Sequence, residues 1–372
     1  MTSNLFLGIG LAVVGSTVAV AQAQTPPAPS NLQAAADPRY ADVIAKCKTP
    51  PPGRGGGGGA AGRAGGGAAR GAAAPAAGAG RAAGPAAPAG PPEYTVTEIP
   101  GVIAAGQRWT SIYQTTGNNA DGPIAAEDGG LLIAQNDNGQ VVKIDPKGQA
   151  TVVHRDTNTG GALAMNTKGA LFVASRGIGI AVLQLAPQRR IHANSYNGDP
   201  LECVGGMNDV TADSRGGVYF TIGGLFYADP KGVVTPQGKD LRTNGVILSP
   251  DEKTLYVTNG QVVAAFDVRP DGSLTSQREF AKLPAGNGDG MAVDAAGRLY
   301  VTAGGGAGGA PGVQVFAADG KHLGQIPSPR NLITVAFSGP DKKTLYGIAN
   351  DRVRVDVYTI PMVAQGYRAR AK

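Results

Sequence analysis

The chain has little of what most binding chemistry by soft ligands needs: two cysteines and three histidines in 372 residues. No Cys-x-x-Cys occurs, and His154, His192 and His322 are scattered, so spacing gives no Cys/His zinc site. Each histidine reads as an ordinary core or surface residue. Aromatic residues make up 5% of the chain and charged residues 16%. No apolar run after the first two dozen residues is long enough to span a bilayer, which needs about 20. The formal charge of +6 looks like an affinity for nucleic acid, but it is unevenly placed. Seven basic residues before Glu93 (Arg39, Lys46, Lys48, Arg54, Arg63, Arg70, Arg81) face only Asp37 and Asp42, a balance of +5 that leaves about +1 for the remainder. The later part is near neutral, which argues against nucleic acid as a partner.

Residues 1–23 are apolar from Leu5 and end in Ala21-Gln22-Ala23, the small-x-small pattern of a cleavable signal peptide. Export to the periplasm or the medium is the expectation, with a retained anchor as the alternative. Within 24–52, Asp37-Pro38 is placed to open a short helix running to Lys46. Residues 53–92 are only Gly, Ala, Pro and Arg, too small and too polar to offset ordering entropy, and read as a disordered tether. Cys47 and Cys203 either pair, stapling the N-terminal segment to the rest, or stand as two separate thiols.

From 93 to 372 the texture is different: short runs of Val, Ile, Leu, Phe and Tyr separated by Gly-containing turns, in units of about forty residues. Six units open near Asp121, Gly161, Asn208, Asn244, Asp289 and Leu332. The sixth lacks a fourth strand, which Tyr94 to Ile99 or Ser111 to Gln114 can supply. The expectation is an all-β, six-bladed β-propeller closed by an N-terminal strand. Inner strands line a central channel, so residues opening successive units converge on one mouth. There Asp121, Asn208, Asn244 and Asp289 offer oxygen donors that suit a hard cation: calcium first, with manganese, magnesium or zinc as alternatives. Singly, each Asp-Gly or Asn-Gly here reads as a turn, as Asp271-Gly272 and Asp319-Gly320 do.

The stretches Asn244-Gly245-Val246-Ile247-Leu248-Ser249-Pro250-Asp251, Asp289-Gly290-Met291-Ala292-Val293-Asp294-Ala295-Ala296-Gly297-Arg298-Leu299-Tyr300-Val301 and Val335-Ala336-Phe337-Ser338-Gly339-Pro340-Asp341 resemble the senescence marker protein (regucalcin), gluconolactonase and luciferin-regenerating enzyme family. The resemblance covers about Asp121 to Ile348 and is stronger in its second half. It implies metal ligation by Asp121, Asn244 and Asp289, substrate contact by Asn208, and proton transfer by Asp289. The implied reaction is metal-assisted hydrolysis of a lactone or similar cyclic ester derived from a sugar or other small molecule, by a monomer. Four positions depart from the family: Asp121 replaces a usual Glu, Gly161 an Asn, Gly206 a substrate-holding Arg in some members, and Phe226 an acid in some. A non-catalytic envelope propeller that binds a small ligand or a protein, its metal structural, is the alternative.

Overall fold

A computed structural model describes residues 32–49, 94–304 and 311–369. The expected signal peptide and the expected Gly/Ala/Pro/Arg tether fall outside those residues. The chain forms six four-stranded antiparallel sheets, each a blade of a closed propeller. Blade 1 holds Asp121–Ala125, Leu131–Gln135, Gln140–Ile144 and Ala150–His154; blade 2 runs from Gly160–Met165 to Arg190–Ala193. Blade 3 spans Met207–Ala212 to Val234–Gln237, blade 4 Thr243–Leu248 to Leu274–Lys282, and blade 5 Gly288–Val293 to His322–Pro327. Blade 6 contains Thr334–Ser338, Thr344–Asn350 and Arg354–Pro361.

The fourth strand of blade 6 is Thr110–Thr116, pairing antiparallel with Arg354–Pro361. Of the two segments the sequence offers for closure, Ser111 to Gln114 is therefore the one used. Tyr94 to Ile99 makes only an isolated bridge between Ile99 and Ile103. Closure removes the edge that would otherwise expose unpaired backbone groups. The core lies between blades, where Phe172, Phe220, Tyr219, Phe266, Tyr300 and Phe316 are fully buried.

The N-terminal segment is smaller than the sequence suggests. A single helical turn, Tyr40–Ile44, replaces the longer helix expected from Asp37. The Asp37 carboxylate accepts from the Arg39 backbone N–H at 2.9 Å and from the Arg39 side chain, closing a local turn before the helix begins. Cys47 and Cys203 form a disulfide across 156 residues of chain, with Cα atoms 5.7 Å apart. Ala34, buried against blades 2 and 3, donates its N–H to the Arg176 carbonyl at 2.7 Å.

Candidate active site

The mouth is built from a defect repeated in the inner strands. In blades 1 to 5 the pairing of the first strand with the second slips by one residue at its start, as between Met207 and Val210, Thr243 and Val246, and Gly288 and Met291. Such a bulge turns the extra residues out of the ladder and re-aims their side chains. Asn208, Asn244 and Asp289 are the re-aimed residues. The glycine after each of the last two is needed for close approach. A Cβ on Gly245 would lie 2.5 Å from the Asp289 carbonyl oxygen, and one on Gly290 would lie 2.3 Å from Thr334 Oγ1. These Asn-Gly and Asp-Gly pairs are thus contacts between neighbouring inner strands, whereas Gly272 and Gly320, both at positive φ, do occupy outer turns.

The backbone groups freed by the bulges are satisfied by buried threonines of the second strands. Thr221 Oγ1 accepts from the Asp209 N–H at 3.0 Å and donates to the Asn244 carbonyl at 2.7 Å. Thr258 accepts from the Gly245 N–H at 2.7 Å, and Thr302 donates to the Gly290 carbonyl at 2.9 Å. Where the following residue is Asp209 instead of glycine, its carboxylate accepts from Val246 N–H at 2.9 Å and ties blade 3 to blade 4.

Asp121 does not share the offset of the others. It pairs with Ala134 as Gly288 pairs with Ala303, so Gly122 stands in the register position of Asp289. Asp121 nonetheless reaches the same mouth, because its charge acts on Asp289. The four expected residues are therefore brought together, through a chain of side chains. Asn208 Nδ2 donates to Asn244 Oδ1 at 2.5 Å, and the Asn244 side chain stands near enough to Asp289 to favour its ionised form. Burial pushes the Asp289 carboxyl up to about 7, and the charges of Asp121 and Asp209 push the same way against Arg176 and Asn244.

The residue that sequence reading missed is Arg176, which follows the second strand of blade 2. Its Nη1 donates to Asp121 Oδ2 at 2.8 Å and its Nη2 to the Asn208 carbonyl at 2.6 Å, with Asn208 Oδ1 at 3.3 Å. The oxygen donors fit a hard divalent cation in kind. In this arrangement, however, Asp121 Oδ2 holds the guanidinium and Asn244 Oδ1 holds the Asn208 amide. Among the described residues, no three His, Cys, Asp or Glu side chains come together as a metal cage.

Blade 3 and the segment before it border an open cavity of about 560 Å3, lined by Tyr196, Val204, Leu225, Phe226 and Leu241, with Lys239 and Asp240 among its polar groups; none of Asp121, Arg176, Asn208, Asn244 and Asp289 lines it. Nothing lies within 4 Å of where a Gly206 Cβ would stand. Phe226 stacks on Phe220 and meets the edge of Tyr196. None of the histidines joins the mouth: His192 is buried against Phe172, His322 bonds Gln314, and burial holds His154 below its ordinary pKa.

A closed six-bladed propeller with clustered acids and amides at one channel mouth defines the class. Residues 119–348 match the SMP-30/Gluconolactonase/LRE-like region family, and the chain belongs to it. It is 26% identical over 302 residues to a gluconolactonase of Zymomonas mobilis, covering 68% of this chain and 79% of that protein. Lactonase drp35 of Staphylococcus saprophyticus is 31% identical over 193 residues, 44% of this chain and 57% of the relative. The structure of a gluconolactonase from Xanthomonas campestris superposes with a TM-score of 0.59 at 24% identity, covering 69% of this chain and 90% of that one, a likeness of fold.

Proposed function

We propose that the protein is a metal-dependent lactonase, opening a cyclic ester at the channel mouth. The observation that carries this reading is the convergence of Asp289, Asn244, Asn208 and Asp121 on one site, with a carboxyl group held near neutrality among them. Asp121, Asn244 and Asp289 are the residues that would hold the cation. When bound, a hard cation, calcium first, would withdraw charge from the lactone carbonyl and favour ionisation of the attacking water. In the reaction one O–H bond of water breaks as its oxygen bonds the carbonyl carbon. Asp289 accepts that proton on its carboxylate oxygen, and returns it to the ring oxygen as the ester C–O bond breaks. The Asn208 Nδ2 to Asn244 Oδ1 bond fixes both amides, so their remaining donor and acceptor groups present a set orientation to substrate.

Export belongs to the same proposal, supported by the Cys47–Cys203 disulfide, which persists in oxidising compartments. No helix among the described residues is long and apolar enough to cross a membrane.

The test is hydrolysis of gluconolactone and of alkyl- and aryl-substituted lactones by the full chain, with calcium and with chelator. Turnover that needs the metal supports the reading. A folded protein that turns over none of them returns the site to ligand binding without catalysis.

A further inference from the structure

The position of Arg176 depends on a glycine in the neighbouring strand. A Cβ on Gly161 would lie 2.0 Å from Arg176 Cζ and 2.2 Å from Nε, so the guanidinium fills the space that any side chain at position 161 would need. The Arg176 side chain is 11% exposed and Asp121 18%. Arg176 Nε is buried and has no hydrogen-bond partner. Its Nη groups instead converge on the Asp121 carboxylate and the Asn208 carbonyl. In the amide orientation that satisfies both of its ends, Asn136 also accepts from Arg176 Nη1, at 2.9 Å.

This arrangement puts a fixed positive charge on a carboxylate that a divalent cation would need. Two cations so close repel strongly in a partly dehydrated mouth, so a metal and this guanidinium pose cannot share Asp121. We infer that Arg176 and a divalent cation are alternative occupants of one seat on Asp121, so that Arg176 sets how readily the site takes up metal. The inference rests on Asp121 being a cation-holding carboxylate, and adds a competitor built into the chain. Gly161 is part of the device, because it alone leaves the guanidinium room to reach its acceptors.

Calcium binding to the full chain, measured by titration calorimetry, tests this without reference to turnover. Arg176→Gln removes the competing charge. Gly161→Ala keeps the charge but drives the guanidinium off its seat, and the Gly161 backbone lies in a region open to alanine. Losing charge-assisted hydrogen bonds of this kind corresponds to roughly 10- to 100-fold in an equilibrium constant. Both variants are therefore expected to bind calcium that much more tightly than the unaltered protein. Adding Asp121→Asn to Arg176→Gln should abolish the gain. Folded variants that bind calcium no better than the parent would overturn the competition while leaving a metal-dependent lactonase intact. Calcium binding by none of the proteins would remove the metal reading and the competition together.

Discussion

The side-chain amide of Asn208 donates to Asn244 Oδ1 at 2.5 Å, across the boundary between blades 3 and 4. Each amide is thereby oriented by the other, with the Asp289 carboxyl close to Asn244. Replacing Asn208 with Ala frees Asn244 to turn. The expected result is a fall in kcat of about 10- to 100-fold, typical of lost positioning, with the melting temperature nearly unchanged. An equal loss of stability and turnover would mean that the contact is structural alone.

Asp289→Asn should abolish lactone turnover and leave the circular dichroism spectrum intact. Asparagine can still hydrogen-bond Asn244, but it cannot take and return a proton at neutral pH. Persistent turnover in this variant would assign proton transfer elsewhere.

The raised pKa of Asp289, about 7 with no cation bound, fixes the pH dependence of stability in calcium-free buffer. For stability, an unfolded aspartate titrates near about 3.9, so between roughly pH 4 and 7 the folded state binds the extra proton and stability declines as pH rises. Asp289→Asn lacks that component. Urea unfolding should show the variant gaining on the parent between pH 5 and pH 8, and parallel curves would exclude Asp289 as the titrating group.

Asp294 holds the opposite end of blade 5. Its fully buried carboxylate accepts from Ala296 N–H and Arg298 N–H at 2.9 Å, Arg298 Nε at 2.6 Å and Tyr300 OH at 2.9 Å. Asp294→Ala strands these donors and should cost about 3 kcal/mol or more of stability. In chemical denaturation the loss should appear with the fold still formed at low denaturant, and with calcium affinity preserved.

The disulfide is expected to contribute about 3–5 kcal/mol through the long loop it closes. Cys47→Ser should lower the melting temperature and make residues 32–49 accessible to protease, with the unaltered protein matching it after reduction. Equal melting of the two under oxidising conditions would show that the N-terminal segment is held by its other contacts.

Much of the fold was legible because each blade repeats the same local chemistry. The run Asp294-Ala295-Ala296-Gly297-Arg298-Leu299-Tyr300 recurs in altered form at Asp213, where the carboxylate again accepts from Arg215 and a tyrosine, Tyr227. Such a motif is visible in sequence, yet it marks a structural turn at the far end of the inner strand, away from the mouth. Asn208, Asn244 and Asp289 were legible for the same reason of periodicity. Asp121 was placed in the same periodic series, but its shifted register could not be seen, because a bulge displaces residues by one without changing composition. The threonines opposite the bulges, Thr221, Thr258 and Thr302, repeat in sequence but read there as ordinary strand residues. Arg176 carried no local sign. Its only trace was the bare Gly161, whose meaning depends on a contact between two strands of blade 2.

The closing strand also has a consequence for biogenesis. Gln114 and Asp356, which hydrogen-bond at 2.7 Å, are separated by 242 residues. Five blades can be assembled from chain already synthesised, but the sixth needs a segment made early to wait for one made almost last. The nascent polypeptide thus passes through an unlatched stage.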